Sequence, residues 1–289
     1  MIVKKLTLDS NDFPGKLRRI PDAPTHLFVA GADLNTLLAR PCVTIIGSRK
    51  VTEYGRAVTA KLAGELARAG VVIISGLALG VDSIAHMATL EAGGLTIAVL
   101  PSSLEHIYPA RHHGLARRII EQGGALVSEY GPGSTIAYKS NFIARNRIAS
   151  GLCDALLITE AAEKSGTLHT ANFALQQGKD VLAVPGNITS PNSIGTNNRI
   201  KTGATPITCV SDALRALGIE PGLAIAKAPH SHDPDEHILL NLIYEGNSEG
   251  STLLALSQLD ISRFNQTLSM LEIRGRVRAL GNDHWALIA

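Results

Sequence analysis

VVIISGLALGVDSIAH, residues 71–86, carries the pattern from which the rest of the chain is read. Val71–Ile74 is β-rich and apolar on both faces, as a strand buried between two helix layers must be. It ends in the loop Ser75-Gly76-Leu77-Ala78-Leu79-Gly80, and an amphipathic stretch, Ser83–Ala92, follows. The same unit recurs in both directions. Further apolar runs are Val43–Ile46, Leu95–Leu100, Ala125–Val127, Ala155–Thr159, Val181–Val184 and Pro206–Val210, and helical stretches fill Arg56–Ala69, Leu115–Glu121 and Thr170–Gln177. Strands alternating with helices imply a parallel sheet with right-handed crossovers. The fold class is therefore α/β, an extended Rossmann-like parallel sheet domain over residues 41–217.

Outward from this domain the texture changes. Residues 1–40, with Pro14, Pro21 and Pro24, read as a short N-terminal lead-in too small to fold alone. Residues 218–235 hold three prolines and no period and read as a linker. Residues 236–289 read as a small winged-helix domain. Ile238–Tyr244 and Thr252–Gln258 are helical in pattern, and Asp260 is a suitable N-cap for a third helix with Ile261, Phe264, Leu268 and Leu271 on one face. Val277–Leu280 and Trp285–Ile288 form a hairpin about Gly281-Asn282-Asp283.

Composition excludes several classes. The 289 residues are 45% hydrophobic and 18% charged, which gives ample core and argues against disorder. The start has no long apolar core, so no secretory signal is expected, and no apolar run approaches the roughly 18 residues of a membrane span. Cys42, Cys153 and Cys209 are odd in number and far apart, without metal spacing, and read as reduced thiols. No metal, no membrane partner and a cytoplasmic setting are expected. Residues 40–215 hold 17 Lys/Arg and 12 Asp/Glu, a net +5, and the remainder 10 and 13, a net −3. The middle is mildly suited to an anionic partner.

In an open parallel sheet, ligands bind beyond the carboxyl ends of the strands. The residues there are Gly47-Ser48-Arg49, Ser75-Gly76, Ser165-Gly166-Thr167 and Pro185-Gly186-Asn187. Glycine lets backbone approach a ligand, and hydroxyls and helix N-terminal amides donate to anions. Together these loops predict a phosphate-binding rim, although glycine also ends strands in α/β proteins generally. No GxGxxG follows the first strand and no P-loop occurs, so neither NAD nor ATP is the expected ligand and no cofactor is assigned. Lys139-Ser140-Asn141-Phe142-Ile143-Ala144-Arg145-Asn146-Arg147 places three cations and a ring within nine residues. Cations neutralise phosphates and a ring stacks on an unpaired base; a core position for Phe142 is equally open. Asp82 and His86, at i, i+4, read as a helix tether in preference to an acid–base pair. Glu160, Glu163, Ser165 and His169 make no complete nucleophile–base set and no GxSxG elbow is present, so no catalytic residue is assigned.

Six stretches resemble the DNA-processing protein A family (DprA, also called Smf) of bacteria: GSRKVTEYG (47–55), SGLALGVDSIAH (75–86), TIAVLPSSLEHIYP (96–109), NFIARNRIASGL (141–152), TEAAEKSGTLHTANFA (159–174) and VPGNITSPNSIGTNNRIKTGA (184–204). They cover about 160 residues in matching order. The resemblance implies a non-enzymatic protein that binds single-stranded DNA without sequence readout and dimerises through its sheet domain. It further implies that the protein protects incoming strands and hands them to the RecA recombinase in natural transformation. Carried over by motif, Arg49 contacts phosphate, Lys139 and Phe142 form one element, and Arg145, Asn146 and Arg147 form another. Ser75-Gly76 and Ser165-Gly166-Thr167 supply the loops. The chain departs from the family at Pro101-Ser102-Ser103, often glycine-rich there, at His169, and at Arg199-Ile200, commonly Leu-Ile; no room is left for the N-terminal helical domain of some members. Two other classes compete. Rossmann-like nucleoside monophosphate glycosidases use a PGGxGTxxE loop, which Lys164-Ser165-Gly166-Thr167 lacks. A duplex-binding transcription factor would need a basic winged helix, but residues 235–289 carry 4 basic and 7 acidic groups.

Overall fold

The computed structural model describes residues 2–134, 139–220, 231, 233–244, 247–281 and 283–287, without the side chains of Lys139 and Leu280. It forms two compact units, residues 1–224 and 225–289.

The first unit runs β1 (Val3–Thr7), α1 (Gly15–Arg18), β2 (His26–Gly31), α2 (Leu34–Leu38), β3 (Cys42–Gly47), α3 (Glu53–Arg68), β4 (Val72–Ser75), α4 (Val81–Glu91) and β5 (Thr96–Leu100). It continues α5 (His113–Glu121), β6 (Ala125–Ser128), α6 (Lys139–Leu152), β7 (Ala155–Glu160), α7 (Thr167–Gln176), β8 (Asp180–Ala183), α8 (Ile194–Lys201), β9 (Thr205–Pro206) and α9 (Val210–Ala216). One sheet holds all nine strands in the order β1-β2-β6-β5-β4-β3-β7-β8-β9. From β6 to β9 every pairing is parallel. Each central strand is buried along its length, which is why the strands read as unbroken apolar runs. Alternate residues pack opposite layers: Val72 and Ile74 meet α1, α2 and α6 through Leu17, Leu37 and Ile148. Ile73 meets α3 and α9 through Leu62, Leu66 and Leu214. Cys42 and Cys153 are buried thiols and Cys209 is exposed; burial pushes the Cys42 thiol up to about 12.

Two sequence expectations need correction. Residues 1–40 are no mere lead-in: β1 and β2 extend the sheet, β2 pairing antiparallel with β6 from Phe28–Ser128 to Gly31–Ala125. Only Leu6 of β1 is buried, so its pattern was too sparse to read. The run Pro206–Val210 is not one strand, because Asp212 accepts from the Thr208 amide at 2.9 Å and starts α9 at Val210.

The second unit comprises α10 (Pro234–Tyr244), α11 (Gly250–Ser257), α12 (Ile261–Ile273) and the antiparallel hairpin β10 (Val277–Gly281) and β11 (His284–Leu287). Three helices followed by a hairpin make the expected winged helix. Asp260 caps α12 through the amides of Ser262 and Arg263. Phe264, Leu268 and Leu271 enter the core, whereas Ile261, at the first helical position, is 66% exposed. Asn282, in the proposed turn, and most of the proposed linker lie outside the described residues.

Candidate nucleic-acid interface

The parallel strand order reverses between β4-β3 and β7. Here successive connections leave on opposite sides, and a crevice opens at the carboxyl edge. A cavity of about 620 Å³ occupies it. Gly47, Arg49, Gly76, Phe142, Arg145, Asn146 and Ser165-Gly166-Thr167, all singled out by the sequence, line it together with Lys164 and His169. A larger groove of about 1720 Å³ beside β1 and α5 is lined, among the described residues, by none of the proposed site residues.

Each loop is held by its own chemistry. At Gly47 a β-carbon would stand 2.6 Å from Val81 Cγ2 and 2.8 Å from the Glu160 carbonyl, so only glycine lets β3, β7 and α4 meet. The buried Glu160 carboxylate accepts from Thr52 N at 2.9 Å and from Thr52 Oγ1 at 2.7 Å. The N-terminus of α3, the position that receives pyrophosphate in dinucleotide folds, thus already holds an anion from the chain itself. Thr167 Oγ1 donates to the Gly47 carbonyl at 3.1 Å and tethers the start of α7 to the first loop. A β-carbon on Gly166 would meet nothing within 4 Å, so the α7 entrance is open.

The loop after β4 is the most constrained. Leu77 is left-handed, φ +58°, which costs a leucine about 1–2 kcal/mol. Complete burial of its side chain and a 2.7 Å bond from His112 Nδ1 to its carbonyl hold it there. The Gly76 amide donates to Asp82 Oδ2 at 3.1 Å. Above Gly76 lies the Arg145 guanidinium, so close that a β-carbon would fall 1.2 Å from Nη1. Arg145 is only 6% exposed. Among the described residues it donates to the Val99 carbonyl at 3.2 Å, its nearest carboxylate oxygen is Asp82 Oδ2 at 3.8 Å, and its Nε has no hydrogen-bond partner. Burial pulls its pKa down, against support from Asp82. Asp82 is pushed up by burial, with Arg145 opposing. His86 is also buried, bonded through Nδ1 to Thr96 Oγ1 at 2.7 Å. The expected Asp82–His86 pair is therefore two separate tethers.

Phe142 is neither core nor a bare stacking platform. It is half-buried, the Arg49 guanidinium stands 5.1 Å from its ring centroid, and Tyr108 packs against it edge-on at 5.5 Å. Tyr108, half exposed in a polar loop, was missed by the sequence reading; an aromatic among EHIYPARHH in a chain with 4% aromatics was the available signal.

Three proposed residues do not reach the cavity. Ser75 is fully buried and donates to the Ile45 carbonyl at 2.6 Å. Ser48 turns its Oγ to the Lys50 amide. Arg147 is ion-paired with Glu129 at 2.7 Å and Asp22 at 2.8 Å. Lys139 opens α6, but its side chain lies outside the described residues. Arg199 binds Asn172 and the Leu168 carbonyl on α7.

Among the described residues there is no cluster of three metal-ligating side chains, and no helix is long and apolar enough to cross a membrane.

Residues 4–218 match the family model of DNA recombination-mediator protein A. Protein Smf of Escherichia coli is 44% identical over 209 residues, 72% of this chain and 55% of that protein, so the match spans about half of the relative's length. DNA processing protein DprA of Bacillus subtilis is 38% identical over 74% of this chain and 71% of its own. Among solved structures, DNA processing protein A of Streptococcus pneumoniae superposes with a TM-score of 0.67 at 37% identity, covering 73% of each chain. The protein of the same name from Helicobacter pylori, solved for its single-stranded DNA binding mode, gives 0.66 at 35% identity over 74% of this chain and 95% of that one. The chain belongs to the DNA recombination-mediator protein A family.

Proposed function

We propose that the protein binds single-stranded DNA without sequence readout in the crevice between β3, β4 and β7, protects incoming strands, and passes them to the RecA recombinase during natural transformation. It does so in the cytoplasm, as a homodimer joined through the sheet unit, and without catalysis. The observation that carries the binding site is Arg145: a buried guanidinium at the cavity, ion-paired with Asp82 only at 3.8 Å, beyond hydrogen-bond distance, and with Nε unpartnered among the described residues. A buried donor without a partner costs about 1–3 kcal/mol, and more when charged; a phosphate oxygen in the cavity offsets that cost. Arg49 and Lys164 add cations at the mouth, and Ser165 and Thr167 add hydroxyls. The single-stranded DNA binding of the Helicobacter pylori relative supports the same ligand.

The decisive test is a gel shift of single- and double-stranded DNA of equal length, with Arg49→Ala alongside. The single strand is expected to bind more tightly. Arg49→Ala should weaken oligo-dT binding and flatten the log–log salt slope by about 0.7, one phosphate contact on a single strand. A preference for duplex, or a variant with unchanged affinity and slope, overturns the assignment. Release of free base from AMP by the pure protein would restore the glycosidase reading.

A further inference from the structure

Along the same carboxyl edge, beyond β7, a second cavity of about 610 Å³ opens where β8 ends. Thr52, Tyr54, Pro185, Asn187, Ser190 and Ser193 line it, and among the described residues none of its lining is charged. Tyr54, the second residue of α3, is half exposed, and its hydroxyl donates to the Pro185 carbonyl at 2.8 Å. That bond fixes the ring in the cavity wall. The opposite side is equally braced. Asn197 grips both sides of Gly186, its Oδ1 accepting the amide and its Nδ2 donating to the carbonyl at 3.1 and 3.0 Å. Asn192 Nδ2 reaches the Lys50 carbonyl at 3.3 Å, tying this wall to the loop that carries Arg49.

We propose that this cavity takes a nucleobase of the strand whose phosphate sits in the first crevice, with the Tyr54 ring as the stacking surface. The inference rests on the single-strand reading above. Chemistry distinguishes the two cavities. The first presents cations and hydroxyls suited to phosphate; the second presents a ring, proline edges, hydroxyls and an amide, which suit a neutral heterocycle with donors and acceptors on its rim. Adjacent strands lie about 4.8 Å apart, so the cavities open within one or two strand spacings of each other, the reach of a neighbouring nucleotide. One loop, Gly47 to Tyr54, contributes to both walls.

The test is titration of the full chain with labelled oligo-dT across salt concentrations. Tyr54→Ala should weaken binding roughly tenfold, as loss of one base stack does, with the salt slope unchanged because no phosphate contact is lost. Tyr54→Phe, which keeps the ring, should retain most of the affinity. As a direct probe, Tyr54→Trp in a Trp285→Phe background should show indole emission quenched by oligo-dT and not by an abasic oligomer of equal length. Unchanged affinity for Tyr54→Ala, or indole emission from the Tyr54→Trp variant that is indifferent to bases, overturns the second subsite while leaving the first intact. Failure of the parent protein to bind any single strand would instead overturn the reading on which it rests.

Discussion

Arg145 and Arg147 stand two residues apart on α6 and are 6% and 7% exposed, yet they occupy opposite electrostatic worlds. Around Arg147 the charge is closed. Its guanidinium donates to both Glu129 oxygens and to the Asp22 and Ala144 carbonyls. Burial pulls its pKa down, but Glu129 and Asp22 together lift it above the ordinary value. Around Arg145 the charge is open: among the described residues it has one carbonyl, one carboxylate beyond hydrogen-bond distance and an unpartnered Nε, with a net downward pull from burial. Equal burial therefore does not mean equal role. A saturated buried cation locks elements together, here α6 to the β6 end and to the segment before β2. An unsaturated one at a cavity is prepared for an anion.

The sharpest way to break this contrast is Arg147→Ala. It leaves Glu129 partly buried without its partner and should cost about 3 kcal/mol, the low end for breaking a buried pair because Asp22 is largely exposed. Urea unfolding measures it, and the folded fraction should bind oligo-dT as the parent does. Next in size is Arg145→Ala. It should lose single-strand affinity roughly 10- to 100-fold, the worth of a hydrogen bond to a charged group, and flatten the salt slope by about 0.7. Its stability loss should be smaller than that of Arg147→Ala, since Asp82, whose carboxyl burial already pushes up, can take a proton when its neighbour is gone. Equal stability losses with unchanged binding for Arg145→Ala would make the two arginines alike.

The sequence could not separate them, and the reason is geometric. Lys139–Arg147 reads as a single cationic stretch as long as its conformation is open. Once it is a helix, residues i and i+2 cannot share a face, so Arg145 and Arg147 must diverge. The counter-ions that settle each fate lie far off: Glu129 is 18 residues from Arg147 and the Asp22 segment 125. The strand-end loops were legible because Gly47, Gly76 and Ser165–Thr167 are local consequences of strands ending at one edge. Ser75 sits in the same motif as Gly76 but is the last residue of β4, a strand buried on both faces, so its hydroxyl turns to the Ile45 carbonyl and not to the rim. β1 stayed hidden because an edge strand with one buried residue carries almost no pattern. In the second unit, 3.6-residue periodicity found the helices and placed Phe264, Leu268 and Leu271 correctly, and failed only at Ile261, on the helix end beyond the core.

The smallest effect concerns pH, and it centres on His86, which Arg145 helps to hold neutral. His86 is buried, and burial first, then His112 and Arg145, pull its pKa from 6.5 to about 3. An unfolded chain's imidazole takes its proton near 6.5, so between those values unfolding takes up a proton. The stability from keeping His86 neutral is complete above pH 6.5 and drains as pH falls toward 3. One unit below 6.5, at about pH 5.5, the loss is about 1.4 kcal/mol. Asp82 acts in the opposite sense: its folded pKa is raised, so the folded state gains protons more readily than the unfolded one as pH falls. The parent slope therefore mixes the two groups, and the difference between parent and His86→Gln isolates the imidazole. Urea midpoints at neutral pH and near pH 5.5 should fall further for the parent than for His86→Gln. Equal falls for parent and His86→Gln would show that the acid-sensitive group lies elsewhere, and the open electrostatics beside Arg145 would then extend no deeper than Asp82.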